Sequence, residues 1–135
     1  MSTTWDTKLA RLGEVPLFEG CDRREIRAIG RLGDLATRPA GTELTREGRW
    51  GGEAFVIVDG AATATYRGRS LAGLAPGDVV GVVAALHAGR QPTTVTATTE
   101  VELLVFDPRA FRSLLELVPV VARRVLTQTT ERLAA

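Results

Sequence analysis

The chain contains one cysteine, Cys21, one histidine, His87, and one lysine, Lys8, in 135 residues. A single cysteine cannot close an internal disulfide, which points to a reducing, cytoplasmic setting. Cys21 also has no histidine beside it in sequence, so it reads as a small hydrophobe rather than a nucleophile. One histidine without clustered carboxylates falls short of the ligand set of a metal centre on a β scaffold, and no metal or resident cofactor is expected. His87 is expected in a partly exposed loop. No nucleophile–base pair stands out, so the expectation is a protein that is not an enzyme. No apolar run approaches the ~20 residues that span a bilayer. The start, Met1-Ser2-Thr3-Thr4-Trp5-Asp6, lacks the apolar stretch of a secretory signal. Excess charge is missing too: 17 basic against 16 acidic residues give a formal +1. That balance speaks against duplex DNA or an anionic membrane as partner. Repeats, low-complexity segments and linkers are also absent, so residues 1–135 are expected to form one domain.

What is present is enough apolar material for a core, 44% of residues. Leu9 and Leu12 mark a short first helix running into Val15-Pro16-Leu17-Phe18. In Cys21-Asp22-Arg23-Arg24-Glu25-Ile26, Asp22 and Glu25 have the spacing of a capping box, and Cys21 and Ile26 that of a hydrophobic staple. Ile26, Ile29 and Leu32 follow at helical spacing. From residue 35 to 106 turn residues recur at the short intervals of a small all-β barrel or sandwich. Ala54–Val58 reads as a strand and Asp59-Gly60 as a type I′ hairpin turn. The return strand Ala61–Tyr66 ends at another turn, Arg67-Gly68-Arg69. Thr93–Thr98 and Val101–Phe106 are the last strands. Asp107-Pro108 is an N-cap followed by proline at the first helical position, with Phe111, Leu114, Leu115 and Val118 as the buried stripe. Pro119 breaks or restarts that helix, and a final helix carries Val121, Val125 and Leu133 with Ala122 and Leu126 beside them. The expected core includes Phe55, Ile57, Val95, Leu104, Phe106, Phe111 and Leu115.

The ordered series of Pro16-Leu17-Phe18-x-Gly20, turn glycines at 41, 48, 60, 77 and 81, Phe55-Val56-Ile57-Val58-x-Gly60 and Leu104-x-Phe106-Asp107 through Leu115 resembles the cyclic nucleotide-binding domain family. Catabolite-activator-type regulators and kinase regulatory subunits share that fold. The resemblance implies a mainly β domain with flanking helices: a jelly-roll β-barrel with N-terminal helices and C-terminal hinge helices. It also implies a stand-alone regulatory or sensor module and a phosphate-binding cassette within residues 77–97.

The cassette departs from the family at its chemical positions. The family's ribose-binding glutamate falls at Val82 and its phosphate-binding arginine at Gln91. The next residue, which would donate its backbone N–H to the phosphate, is Pro92, which has none. Charge-assisted hydrogen bonds are each worth about 1.5–3 kcal/mol, so roughly 4–8 kcal/mol is missing against about −8 kcal/mol for micromolar binding. Weak or absent binding of cyclic AMP and cyclic GMP is therefore expected. The candidate ligand residues are Gly81, Val82, Val83, Ala84, Arg90, Gln91, Pro92 and Thr93. The alternative is a working cyclic AMP receptor in which Arg90 and the backbone amides near Gly81 hold the phosphate; otherwise Arg90 faces solvent. The ligand, if one binds, is a cyclic nucleotide or another small anion.

Trp50, in Gly48-Arg49-Trp50-Gly51-Gly52, either packs over the barrel edge or is exposed as a partner contact. Arg123-Arg124 reads as a solvated face. Catabolite-activator-type relatives pair through the helix corresponding to the last one here. Val121, Val125 and Leu126 thus suggest either a homodimer or packing on the chain's own barrel. A protein partner is expected, nucleic acid and membrane are not.

Overall fold

The computed structural model describes residues 3–87 and 89–134. Helix α1 spans Thr3–Gly13, and a short 3-10 turn, Pro16–Phe18, leads into α2, Arg23–Leu32. The capping box forms as its spacing predicts. The Asp22 carboxylate accepts from the Glu25 N–H at 2.8 Å, and the Glu25 carboxylate accepts from the Asp22 N–H at 2.9 Å. Cys21 packs half-buried against the adjoining core. Burial pushes its thiol pKa up, with Glu25 adding to the shift, which makes the group a poor nucleophile.

Eight strands follow: β1 Asp34–Arg38, β2 Glu43–Thr45, β3 Ala54–Asp59, β4 Ala62–Tyr66, β5 Arg69–Leu74, β6 Val79–Val80, β7 Thr94–Ala97 and β8 Val101–Phe106. Helix α3, Val82–His87, interrupts them between β6 and β7. His87 is therefore the exposed end of a helix rather than part of a loop. The strands form two antiparallel sheets, ordered β1-β8-β3-β6 and β2-β7-β4-β5. The domain is mainly β with flanking helices, as expected. The described strands make a jelly-roll-like sandwich, and no ladder between the two sheets closes them into one barrel.

Asp59-Gly60 is not a hairpin. Strands β3 and β4 lie in different sheets, and the turn carries the chain across the sandwich. Gly60, at φ +92°, is demanded by packing, since a Cβ there would stand 2.3 Å from the Glu100 carbonyl oxygen. The two-residue hairpin lies at Arg67-Gly68, where both residues have positive φ, 50° and 77°. It joins the paired Tyr66 and Arg69 and so meets the type I′ requirement.

The sheet β1-β8-β3-β6 is buried on both faces. One face carries Val56, Leu104 and Phe106 against Leu12, Phe18, Ile29, Phe111 and Leu114 from the helices. The other turns Ile57, Val101 and Leu103 toward Ala62, Ala64, Val95 and Ala97 of the opposite sheet. Five of the seven expected core residues are buried. Phe55 and Leu115 are only half-buried: Phe55 pairs with Val80 on the two-residue edge strand β6, and Leu114 takes the central place on its helix.

Helix α4, Pro108–Leu117, starts where Asp107 accepts the Ala110 N–H at 2.7 Å, and α5, Pro119–Ala134, restarts at the proline. Val121 and Val125 are buried in the domain's own core, which leaves Leu126 exposed. Of the three residues considered for a dimer face, two are thus spent on intramolecular packing. The Leu133 side chain lies outside the described residues. Arg124 is a clamp rather than a solvated charge. It donates to the Leu17 carbonyl at 2.9 Å and the Glu19 carbonyl at 2.6 Å, tying α5 to the 3-10 turn.

Candidate ligand cleft

The small Ala64 side chain on β4 faces a cleft of about 710 Å³ bordered by β4, β5, β6, β7 and α3. That size suits a small organic ligand. Ala72, Leu74, Val80 and Val95 supply apolar surface inside it. Gly81 sets the entrance to α3 at φ +84°, and a Cβ there would come 2.7 Å from the Glu53 carbonyl oxygen. The chain must therefore carry glycine at this corner.

Six of the eight candidate residues line the cleft: Gly81, Val82, Val83, Gln91, Pro92 and Thr93. Ala84 is buried beneath α3 and does not border it. Val82 is 8% exposed and packs into the helical core while presenting no polar atom to the cleft. Gln91 is 7% exposed, and its side-chain amide donates to the Gly51 carbonyl at 2.9 Å. Its backbone is held as well: its N–H donates to the Arg49 carbonyl at 2.7 Å, and its carbonyl accepts the Gly48 N–H at 3.0 Å. The glutamine thus ties the β2–β3 loop to the cleft wall. Thr45 completes the polar end, its hydroxyl donating to the Thr93 carbonyl and accepting the Val95 N–H. Among the described residues, no buried side-chain nitrogen or oxygen lacks a partner.

Arg90 does not line the cleft. It is exposed, its guanidinium donates to the Gly48 carbonyl at 3.0 Å, and it lies 5.0 Å from the centre of the Trp50 ring. Its backbone forms an isolated bridge with Trp50. Being one residue from Gln91 in an extended segment, its side chain takes the opposite direction. Trp50 is 68% exposed, so of its two possible placements the outward one is found, against Arg90, and not packing over the barrel edge.

The cleft has a roof that the sequence did not disclose. Gln128 of α5 accepts the Val79 N–H at 3.0 Å and donates to the Gly77 carbonyl at 2.8 Å. Arg132, one turn on, donates to the Val79 carbonyl and stands 3.7 Å from the Asp78 carboxylate. Burial pulls the Arg132 pKa below its ordinary value, and Asp78 opposes that shift. In sequence these polar residues only interrupt an apolar stripe. Their inward role depends on α5 running along β6. No group of three histidine, cysteine or acidic residues is placed to hold a metal ion among the described residues. No described helix is long and apolar enough to cross a membrane.

Residues 36–117 match the family profile described as the cyclic nucleotide-binding domain. The chain is 30% identical over 105 residues to the cAMP-dependent protein kinase regulatory subunit of Schizosaccharomyces pombe. That match covers 77% of this chain and 26% of the subunit, so the chain spans about a quarter of that relative's length. The catabolite activator protein of Thermus thermophilus superposes with a TM-score of 0.74 at 25% identity, over 88% of this chain and 58% of that one. The regulatory subunit of a cAMP-independent protein kinase A from Trypanosoma brucei does so with a TM-score of 0.79 at 23% identity, over 94% and 46%. Strand order, the glycine-cornered α3 and the profile match agree, and this chain belongs to the cyclic nucleotide-binding domain family.

Proposed function

We propose that the chain is a non-enzymatic regulatory domain whose cleft does not hold cyclic AMP or cyclic GMP in the family's usual way. The observation that carries this reading is Gln91. At the position that resembles the family's phosphate-binding arginine stands a neutral, buried amide already bonded to the Gly51 carbonyl. Val82 and Pro92 support it, since Val82 has no side-chain acceptor for a ribose and Pro92 no backbone donor for a phosphate. An anion in this cleft would lose its water and find no cation at the cassette positions, and of the two arginines that border the cleft, Arg69 and Arg132, the latter is already held by the Val79 carbonyl and faces Asp78. The fold itself does not decide the ligand, because function resides in the site rather than in the scaffold.

Binding through Arg90 would require that guanidinium to leave both the Gly48 carbonyl and the Trp50 ring and to reverse its direction. A small ligand other than a cyclic nucleotide suits the apolar walls, with α5 as the element that would report its presence. Output then passes to a protein partner in the cytoplasm. A homodimer through α5 would use the side bearing exposed Leu126, because Val121 and Val125 are already covered. Titration calorimetry with cyclic AMP, cyclic GMP and cyclic dinucleotides tests the proposal. It expects no saturable heat with the mononucleotides, and micromolar binding of either would overturn it.

A further inference from the structure

The outward turn of Arg90 builds something on the surface. Trp50 is 68% exposed and is held in place rather than left loose. Gly51 donates its N–H to the Gly89 carbonyl at 2.7 Å, Gln91 donates to the Arg49 carbonyl at 2.7 Å, and Gly48 donates to the Gln91 carbonyl at 3.0 Å. With the Gln91 side chain on Gly51 and Arg90 on Gly48, both edges of the tryptophan loop are pinned. A rigid exposed tryptophan loses little conformational freedom when a partner covers it.

The neighbouring hairpin extends the same ledge. The Arg67 N–H donates to Glu47 at 2.9 Å, and the Thr94 hydroxyl donates to the same carboxylate at 3.0 Å. This brings the hairpin tip beside the tryptophan loop. There Tyr66 is 44% exposed, with the Arg67 guanidinium 5.2 Å from its ring centre. Arg49, Arg67, Arg69 and Arg90 are all exposed, and among the described residues none has an ion-pair partner. Glu47 is occupied by its two hydrogen bonds, and Glu43 faces Arg46 at 4.0 Å. The ledge therefore combines two aromatic rings with four guanidinium groups that form no ion pair, beside the Glu47 carboxylate, in a chain whose total charge is only +1.

We infer that this ledge, Trp50 with Arg49 and Arg90 and the Tyr66–Arg69 hairpin, docks an acidic segment of a partner protein. Tryptophan, tyrosine and arginine are the residues that carry protein interfaces. Guanidinium forks match carboxylates in pairs. Charge complementarity thus selects an acidic peptide with apolar side chains to lie against Trp50. Nucleic acid is the poorer match. The Trp50 and Tyr66 rings each already stack against an arginine, which takes a ring face that a base would use. The near-neutral whole also gives little long-range pull on a polyphosphate.

The test uses the full chain and a short synthetic peptide of alternating glutamate and leucine, with binding read by calorimetry at low and at physiological salt. The inference expects saturable binding that weakens with salt. It further expects Trp50→Ala, and separately Arg49→Glu with Arg67→Glu, to weaken binding by about tenfold or more. A control with equal charge loss on α2, Arg24→Glu with Arg27→Glu, should change affinity less than about threefold if the ledge is the site. Trp50 is a surface side chain, so thermal unfolding of Trp50→Ala should match the parent and separate lost binding from lost folding. No saturation up to about millimolar peptide would overturn the inference. So would equal weakening by the α2 control, or tighter binding of a thymidine oligonucleotide of the same charge.

Discussion

The two faces of the sheet β1-β8-β3-β6 are packed on different terms. On the helical side Val56, Leu104 and Phe106 meet large partners, and the Phe106 and Phe111 rings stand edge to face at 6.1 Å. On the inner side Ile57 and Leu103 look toward a wall of Ala62, Ala64, Val95 and Ala97. One face is packed with large, fully buried side chains, where truncation costs most. The other is a core of smaller side chains whose edge, at Ala64, Leu74, Val80 and Val95, borders the cleft that keeps room for a ligand. Gln91 and Pro92 of the cassette lie outside the filled core, whereas Val82 packs into it.

The largest expected effect lies on the filled face. Phe111→Ala, at a fully buried position, should destabilise the domain by about 3–5 kcal/mol in urea unfolding. A loss below about 1 kcal/mol would mean that the helical side is not the main core. Next comes a paired substitution that sets the faces directly against each other. Ala54→Leu pushes extra volume into the filled side and should cost about 1–3 kcal/mol. Ala64→Leu projects into the cleft and should cost less than about 1 kcal/mol while removing ligand room. If Ala64→Leu proved the costlier change, the cleft beside Ala64 would not be open. The smallest effect is local. Asp107→Ala deletes the cap on α4 and should cost about 1 kcal/mol, measured the same way, with the cleft untouched.

Features decided by neighbouring residues were legible in the sequence. The Asp22–Glu25 capping box, the Asp107-Pro108 start of α4 and the restart at Pro119 depend on short-range hydrogen bonds and proline geometry, and each stands where its residues imply. Features decided by tertiary placement were not. Asp59-Gly60 has the residues of a hairpin turn, yet Gly60 is required by the Glu100 carbonyl from the distant β7–β8 loop, while the hairpin formed at Arg67-Gly68. Val121 and Val125 show an apolar face in sequence, but only the fold reveals that their own core covers it. At the cleft, the neutral residues Val82, Gln91 and Pro92 could be read directly. The direction of Arg90, the Gln91–Gly51 bond and the Gln128–Arg132 roof arise from loops and helices meeting across forty residues or more, where no local pattern reports them.

The central claim is that the cleft is kept from cyclic nucleotides by the residues at positions 82, 91 and 92 and not by the course of its backbone. Calorimetric titration of cyclic AMP into the parent chain and into the triple variant Val82→Glu, Gln91→Arg, Pro92→Ala tests it most directly. The account predicts no saturable binding by the parent and measurable affinity in the triple variant, with Gln91→Arg alone helping least while Pro92 still withholds its donor. Micromolar binding by the parent, abolished by Arg90→Ala, would contradict it and show that Arg90 leaves Trp50 to grip the phosphate.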